Sequence, residues 1–345
     1  SKIYHPTVKQ SEAFAFRRMM QLIPAQMTQL IPVTMAMPPA PTMMLIPVAM
    51  VVKMPPSPAS TAIPSSESGS EGAISRQSSE LSSGSADCGV FGCVWELSQR
   101  SKGCRLVQET LQKATDAERC QLAMELTGHV WPAAKSACAN YVLQKFIQVL
   151  RPQACQFIID EVLSQDAEIL DLAKHQYGCR ILQRLLETCY PEQMEGVVKI
   201  LLSEATGLIR HSYGTFVMQV IMKFGTEEQR ELLGAVLLQM VQLTGDENCA
   251  QVMHQALQHA PQKATLARAL VPYLPQMARG RHSHHAVLCT LQLLDQEELN
   301  GAIAILSQKA TKLWASRYGR LVVKQIPSLY QQCCGLTRRE AAGSR

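Results

Sequence analysis

Residues 177–183, Tyr177-Gly178-Cys179-Arg180-Ile181-Leu182-Gln183, and residues 213–219, Tyr213-Gly214-Thr215-Phe216-Val217-Met218-Gln219, are two copies of one heptad. Two further copies precede them, Gly103-Cys104-Arg105-Leu106-Val107-Gln108 and Ala139-Asn140-Tyr141-Val142-Leu143-Gln144, and weaker ones end at His254, Cys289 and Lys324. The last residues of successive copies lie 36, 39, 36, 35, 35 and 35 residues apart. A period held through seven units is the signature of a repeat architecture.

Between the copies the apolar residues follow helical spacing. Phe157, Ile158, Val162 and Leu163 form one stripe, Ile169, Leu170, Leu172 and Ala173 a second, and Ile181, Leu182, Leu185 and Leu186 a third. Strand-like alternation is missing, so each unit holds two or three helices. One unit of about 36 residues leaves its apolar faces open and must stack on its neighbours. The expected fold is an all-α solenoid of about seven such repeats.

On a helix advancing about 100° per residue, Arg180 and Gln183 fall on the same side as Cys179, while Ile181 and Leu185 fall almost opposite. The spacing therefore predicts an outward patch made of the first, second and fifth residues of a five-residue motif. The patch recurs as Cys104, Arg105 and Gln108; Asn140, Tyr141 and Gln144; and Thr215, Phe216 and Gln219. An amide both donates and accepts against the edge of a nucleobase, and a flat neighbour stacks on its ring. Four such sets in register point to single-stranded RNA.

These units resemble Pumilio (PUF) repeats, with Tyr-Gly-Cys-Arg-x-x-Gln and Asn-Tyr-x-x-Gln as the most specific motifs. Val94-Trp95-Glu96-Leu97-Ser98 and Gly128-His129-Val130-Trp131 are similar to that family's preceding helix. The resemblance covers about residues 88 to 330. It implies a right-handed, armadillo-like crescent whose concave face takes one base per repeat. It also implies that the first and fifth motif residues meet the base edge and the second stacks. Cys104/Gln108 and Cys179/Gln183 would then favour adenine beside Arg105 and Arg180. Asn140/Gln144 would favour uracil beside Tyr141, and Thr215/Gln219 with Phe216 adenine again. Because family complexes run antiparallel, the expected core is 5′-(A/N)AUA-3′. The implied role is control of messenger RNA stability or translation through 3′ untranslated regions, with effector proteins on the convex face or the N-terminal tract.

The last three units depart from this pattern. They carry Ala250, Gln251 and His254, then His285, Ala286 and Cys289, then Arg320, Leu321 and Lys324. None is a familiar base-reading set, and the sequence leaves no room for the eighth repeat that the family commonly has. Gln251, His254, His285, Arg281, Arg320 and Lys324 are expected to make weak or sequence-tolerant RNA contacts. The alternative expectation is a degenerate helical scaffold for proteins, or a factor binding RNA without sequence choice, as in ribosome biogenesis.

The remaining composition excludes more than it assigns. Residues 19–52 carry no charge and are rich in Met, Leu, Ile and Val, yet Pro24, Pro32, Pro38, Pro39, Pro41 and Pro47 interrupt any spanning helix. Residues 1–56 are expected to be a disordered Met/Pro-rich segment and 57–87 a Ser/Gly-rich linker. The repeat domain is expected over 88–335, with a tail over 336–345. A net charge of +5 suits a polyanion without demanding one. The twelve cysteines show no CxxC pair, which suggests a reducing, cytoplasmic setting. Arg281-His282-Ser283-His284-His285 reads first as a polar helix start and second, with Arg279 and Arg281, as a phosphate contact; a metal site is set aside because no Cys, Asp or Glu stands at matching spacing. Phosphate-binding, nucleophile-elbow and HExxH motifs are missing, so no enzyme, cofactor or small-molecule substrate is expected.

Overall fold

The structure, a computed structural model, describes residues 89–328. The Met/Pro-rich and Ser/Gly-rich tracts, Cys88 and the C-terminal tail lie outside the described residues, and so do the expectations placed on them. Among the described residues there is no strand, and no helix is long and apolar enough to cross a membrane.

The helices fall into units of three. Unit 1 comprises α1 (Val94–Ser98), α2 (Ser101–Lys113) and α3 (Asp116–Met124), and unit 2 comprises α4 (Val130–Lys135), α5 (Ala139–Val149) and α6 (Gln156–Leu163). Unit 3 holds α7 (Asp166–Lys174), α8 (Gly178–Thr188) and α9 (Pro191–Ser203), and unit 4 holds α10 (Ala205–Arg210), α11 (Gly214–Phe224) and α12 (Glu227–Gln239). In unit 5 a 3-10 turn, Val241–Leu243, replaces the first helix before α13 (Glu247–His259) and α14 (Lys263–Leu270). Unit 6 has α15 (Leu274–Met277), α16 (Ser283–Leu293) and α17 (Gln296–Gln308), and unit 7 has α18 (Ala310–Ala315) and α19, residues 317–328.

Every quoted heptad copy lies at the start of a middle helix, and each middle helix packs on the next. The stripes foreseen from spacing are the packing faces. Ile158, Val162, Ile169, Leu172, Ile181, Leu182 and Leu185 are all fully buried. Burying one such side chain stabilises the fold by roughly 1.5–3 kcal/mol, and much of that burial exists only because a neighbouring unit is present. The fold is an α-solenoid.

Local signals set the helix ends. Thr115, Thr226 and Asp295 each form a capping box at the start of an outer helix, with Glu118, Gln229 and Glu298 answering three residues on. Pro191 opens α9 at a position where its missing N–H has no helical partner to lose. Two carboxylates staple first helices to outer ones. Glu125 accepts from the backbone N–H groups of Gly92 and Val94, and Glu161 from those of Gly128 and Val130, at 2.7–3.0 Å. Gly92 and Gly128 have φ of +83° and +80°, the left-handed region that favours glycine.

Candidate nucleic-acid interface

A middle helix must start at the same height in every unit if its first turn is to form part of one face. In units 2 to 5 a side-chain acceptor four residues before the motif does this. Ser136 Oγ accepts from the N–H groups of Cys138 and Ala139, and Asp246 Oδ1 from those of Asn248 and Cys249. His175 Nδ1 accepts from Tyr177 and Gly178, and His211 Nδ1 from Tyr213 and Gly214, at 3.2–3.3 Å. Burial chiefly, and Lys135 next, hold His175 below the ordinary histidine range, which keeps that lone pair available. Glycine just before the motif brings the helix close to its predecessor. A Cβ on Gly178 would lie 2.7 Å from the Leu172 carbonyl oxygen, and one on Gly214 2.8 Å from that of Leu208.

The four sets are placed alike but not as an isolated helix predicts. Arg105, Tyr141 and Arg180 are exposed, Phe216 is half-buried, and Gln108, Gln144, Gln183 and Gln219 are all half-buried. Cys104, Asn140, Cys179 and Thr215 are buried, the last three at 1 % exposure or less. The outward patch therefore consists of the second and fifth residues, and the first lies beneath it. The cause is the neighbouring unit, which a single-helix wheel omits. Cys104 Sγ donates to the Cys138 carbonyl and Thr215 Oγ1 to that of Asn248, each 3.2 Å away at the start of the next middle helix.

The amides fold back onto these buried residues. Gln108 Nε2 lies 3.0 Å from Cys104 Sγ, Gln144 Nε2 donates to Asn140 Oδ1 at 2.9 Å, and Gln219 Nε2 donates to Thr215 Oγ1 at 3.4 Å. Asn140 spends both Nδ2 hydrogens on the carbonyls of Ser136 and Ala137. In unit 3 the partner differs, since Gln183 Oε1 accepts from Arg180 at 3.0 Å. Burial pushes the thiols of Cys104 and Cys179 up and that of Cys249 up to about 12, so they stay protonated.

Contacts between motif residues join the later units into one face. The Arg180 guanidinium lies over the Phe216 ring at 5.0 Å, and Gln219 Nε2 donates to Gln251 Oε1 at 3.2 Å. His254 and His285 have ring centroids 5.9 Å apart, and His284 sits 5.0 Å from Tyr318. Units 4 to 7 border a concavity of about 580 Å³, lined by Gln251, His254, Arg281, His284, His285 and Tyr318 among others. Among the residues expected to make weaker contacts, Gln251, His254, His285 and Arg281 are brought together here. Arg320 instead turns its guanidinium to the Trp314 carbonyl at 2.9 Å, and Lys324 is exposed on α19. Tyr318 is missing from the expected set, yet it stands two residues before its motif, as Tyr177 and Tyr213 do. That position was the signal. Among the described residues no trio of His, Cys, Asp or Glu is placed to hold a metal ion.

Comparison with known proteins follows the same division of the chain. The profile of the Pumilio-family RNA binding repeat matches residues 101–127, 134–163, 168–202 and 207–238, the four units that carry complete motifs. A Pumilio domain-containing protein of Schizosaccharomyces pombe is 24 % identical over 195 residues, 55 % of this chain and 28 % of that protein. Pumilio homolog 1 of Xenopus laevis is 31 % identical over 104 residues, 30 % of this chain and 8 % of that protein. The matched stretches span less than a third of these relatives' length. In three dimensions the chain is similar to PUF-8 in complex with PBE-RNA, with a TM-score of 0.61 at 21 % identity over 70 % of this chain and 73 % of that one. It is also similar to the Puf3 RNA binding domain bound to a Cox17 RNA 3′ UTR recognition sequence, with a TM-score of 0.57 at 21 % identity over 70 % and 74 %. Residues 101–238 thus carry four repeats that match the Pumilio-family RNA binding repeat, and the chain shares the fold of the PUF proteins.

Proposed function

We propose that this protein binds single-stranded RNA with sequence selectivity, one base to each of its first four units, and that it acts on messenger RNA stability or translation. The observation that carries the proposal is the recurrence, in four stacked first turns, of a half-buried amide beside an exposed or half-exposed planar side chain. Incidental surface glutamines have no reason to keep that register. The RNA complexes named for PUF-8 and Puf3, and the 3′ UTR in the latter, support the same class of ligand.

The free-state hydrogen bonds refine how a base would be met. In unit 2 the Asn140 donors are committed, so a uracil would face the Gln144 amide and the remaining acceptor capacity of Asn140 Oδ1. Uracil offers one N–H donor between two carbonyls, which suits that set. Units 1 and 3 present the Gln108 and Gln183 amides above a buried thiol, a set without a second strong hydrogen-bonding group, and adenine is the proposed base there. With unit 4 this gives a core of 5′-(A/N)AUA-3′.

Replacing Asn140 and Gln144 together by Ala tests the proposal in a binding assay. Affinity for an RNA bearing AUA should fall far more than affinity for an RNA already mismatched at that uracil. Equal losses on the two RNAs would overturn base reading by this unit.

A further inference from the structure

Units 5 to 7 lack base-reading sets, yet with Gln219 of unit 4 they border the concavity described above, and the imidazoles of its lining are chemically unlike the face of units 1 to 4. We propose that this concavity grips the sugar–phosphate backbone of the RNA without base choice, and that its imidazoles take up protons as the backbone docks, so that affinity rises as pH falls. The inference rests on the RNA-binding reading and deepens it.

Geometry comes first. His254 projects from α13 towards His285 on α16 at 5.9 Å, His285 lies 3.9 Å from His284, and His284 lies 5.0 Å from Tyr318 on α19. Arg281 and His282 stand at the rim, just before α16. The start of this helix differs from those of units 2 to 5, because Arg281 occupies the position where Ser136, His175, His211 and Asp246 serve as acceptors. Ser283 Oγ donates instead to the Met277 carbonyl, and His284 Nδ1 donates to that of Gly280. The rim thus gains a guanidinium at the place where units 2 to 5 spend an acceptor on their own backbone.

The charges facing these rings come from every neighbouring helix, and nearly all are cationic or neutral. From α11 and α13 come Gln219, Gln251, Gln255, Gln258 and His259, with Lys223, Arg230 and Lys263 beyond His259. From α19 comes Tyr318, with the Arg317 guanidinium 5.9 Å from its ring. A carboxylate also stands in contact, that of Glu247, whose exposed side chain lies 3.6 Å from His282 Nε2. A second proton on rings this close meets like charge unless an anion arrives. Phosphodiesters bring that anion.

The sign follows. Burial first, then His285 and the neighbouring histidines, hold His254 and His284 below the ordinary histidine range, so both are neutral in the free protein at pH 7. Docked phosphates favour the protonated rings and raise both. Binding then takes up protons, and affinity must increase as pH falls through the histidine range. RNA bases and phosphodiesters hold their own charge between pH 8 and pH 6, so the titration belongs to the protein.

The test measures affinity of the full chain for a ten-nucleotide RNA ending in AAUA, from pH 8 to pH 6, at constant salt. A second RNA of the same sequence carries neutral methylphosphonate linkages in its 5′ half. About a tenfold gain towards pH 6 is expected for the charged RNA, and almost none for the half-neutral one. The doubly substituted His254→Gln, His284→Gln protein should lose the gain, its affinity for the charged RNA changing little from pH 8 to pH 6. The two-RNA comparison needs no variant and stands even if the substitutions unfold the protein. A flat pH profile with the charged RNA, or an equal gain with both RNAs, overturns the proposal while leaving RNA binding intact. No binding to either RNA at any pH overturns the RNA-binding reading itself.

Discussion

Tyr141 projects from α5 with 54 % of its surface exposed, whereas Phe216 is half-buried beneath the guanidinium of Arg180. The two residues hold equivalent places in the repeat, but a base meets them differently. It stacks on Tyr141 without displacing a described partner ring, while Arg180 must lift away from Phe216 before a base enters between them. A base stacked on an aromatic gains roughly 1–3 kcal/mol, and a surface cation–π contact is worth about 0.5–1 kcal/mol, so stacking wins where both compete. Tyr141→Ala is therefore expected to cost about 1–3 kcal/mol of RNA affinity, and Tyr141→Phe almost none, in equilibrium binding by fluorescence anisotropy. Unchanged binding by Tyr141→Ala would remove this residue from the interface. The identities of the exposed residues were legible in the sequence, because the period lined them up. The burial of Cys179 was not. It depends on a neighbour whose position no single-helix wheel contains.

At the scale of the element, glycine shows which contacts hold a middle helix in place. Gly178 lies where α8 crosses the end of α7, and a Cβ there would sit 2.7 Å from the Leu172 carbonyl oxygen. Gly301, inside α17, has nothing within 4 Å of the same construction. Helix propensity favours alanine over glycine by about 1 kcal/mol inside a helix, as at Gly301, and by less at Gly178, the first residue of α8. Overpacking against backbone costs about 1–3 kcal/mol and outweighs it at Gly178. Thermal unfolding should show Gly178→Ala destabilised and Gly301→Ala stabilised. A stabilised Gly178→Ala would contradict the close approach. Middle helices were legible because their apolar spacing and their motif coincide. The start of unit 5 was less so, since three residues of 3-10 turn stand where other units have a helix. His175 and His211 escaped notice as caps because histidine is not among the residues that sequence reasoning expects in that role.

Across the whole molecule the face changes character along the chain. Units 1 to 4 present amides beside planar or cationic side chains and carry the four family matches. Units 5 to 7 present imidazoles, an arginine and a tyrosine around a concavity. An α-solenoid permits this division, because each unit is held mainly by its neighbours and one stretch can alter its surface without disturbing another. The period made the architecture legible from the heptads alone, while the concavity was not, since its lining comes from four units about 35 residues apart. The central claim is that the first four units select bases. Selection from a random RNA library by the full chain, followed by sequencing, tests it most directly. Enrichment of 5′-(A/N)AUA-3′ is the predicted result, and bound RNA with a flat sequence profile would contradict it.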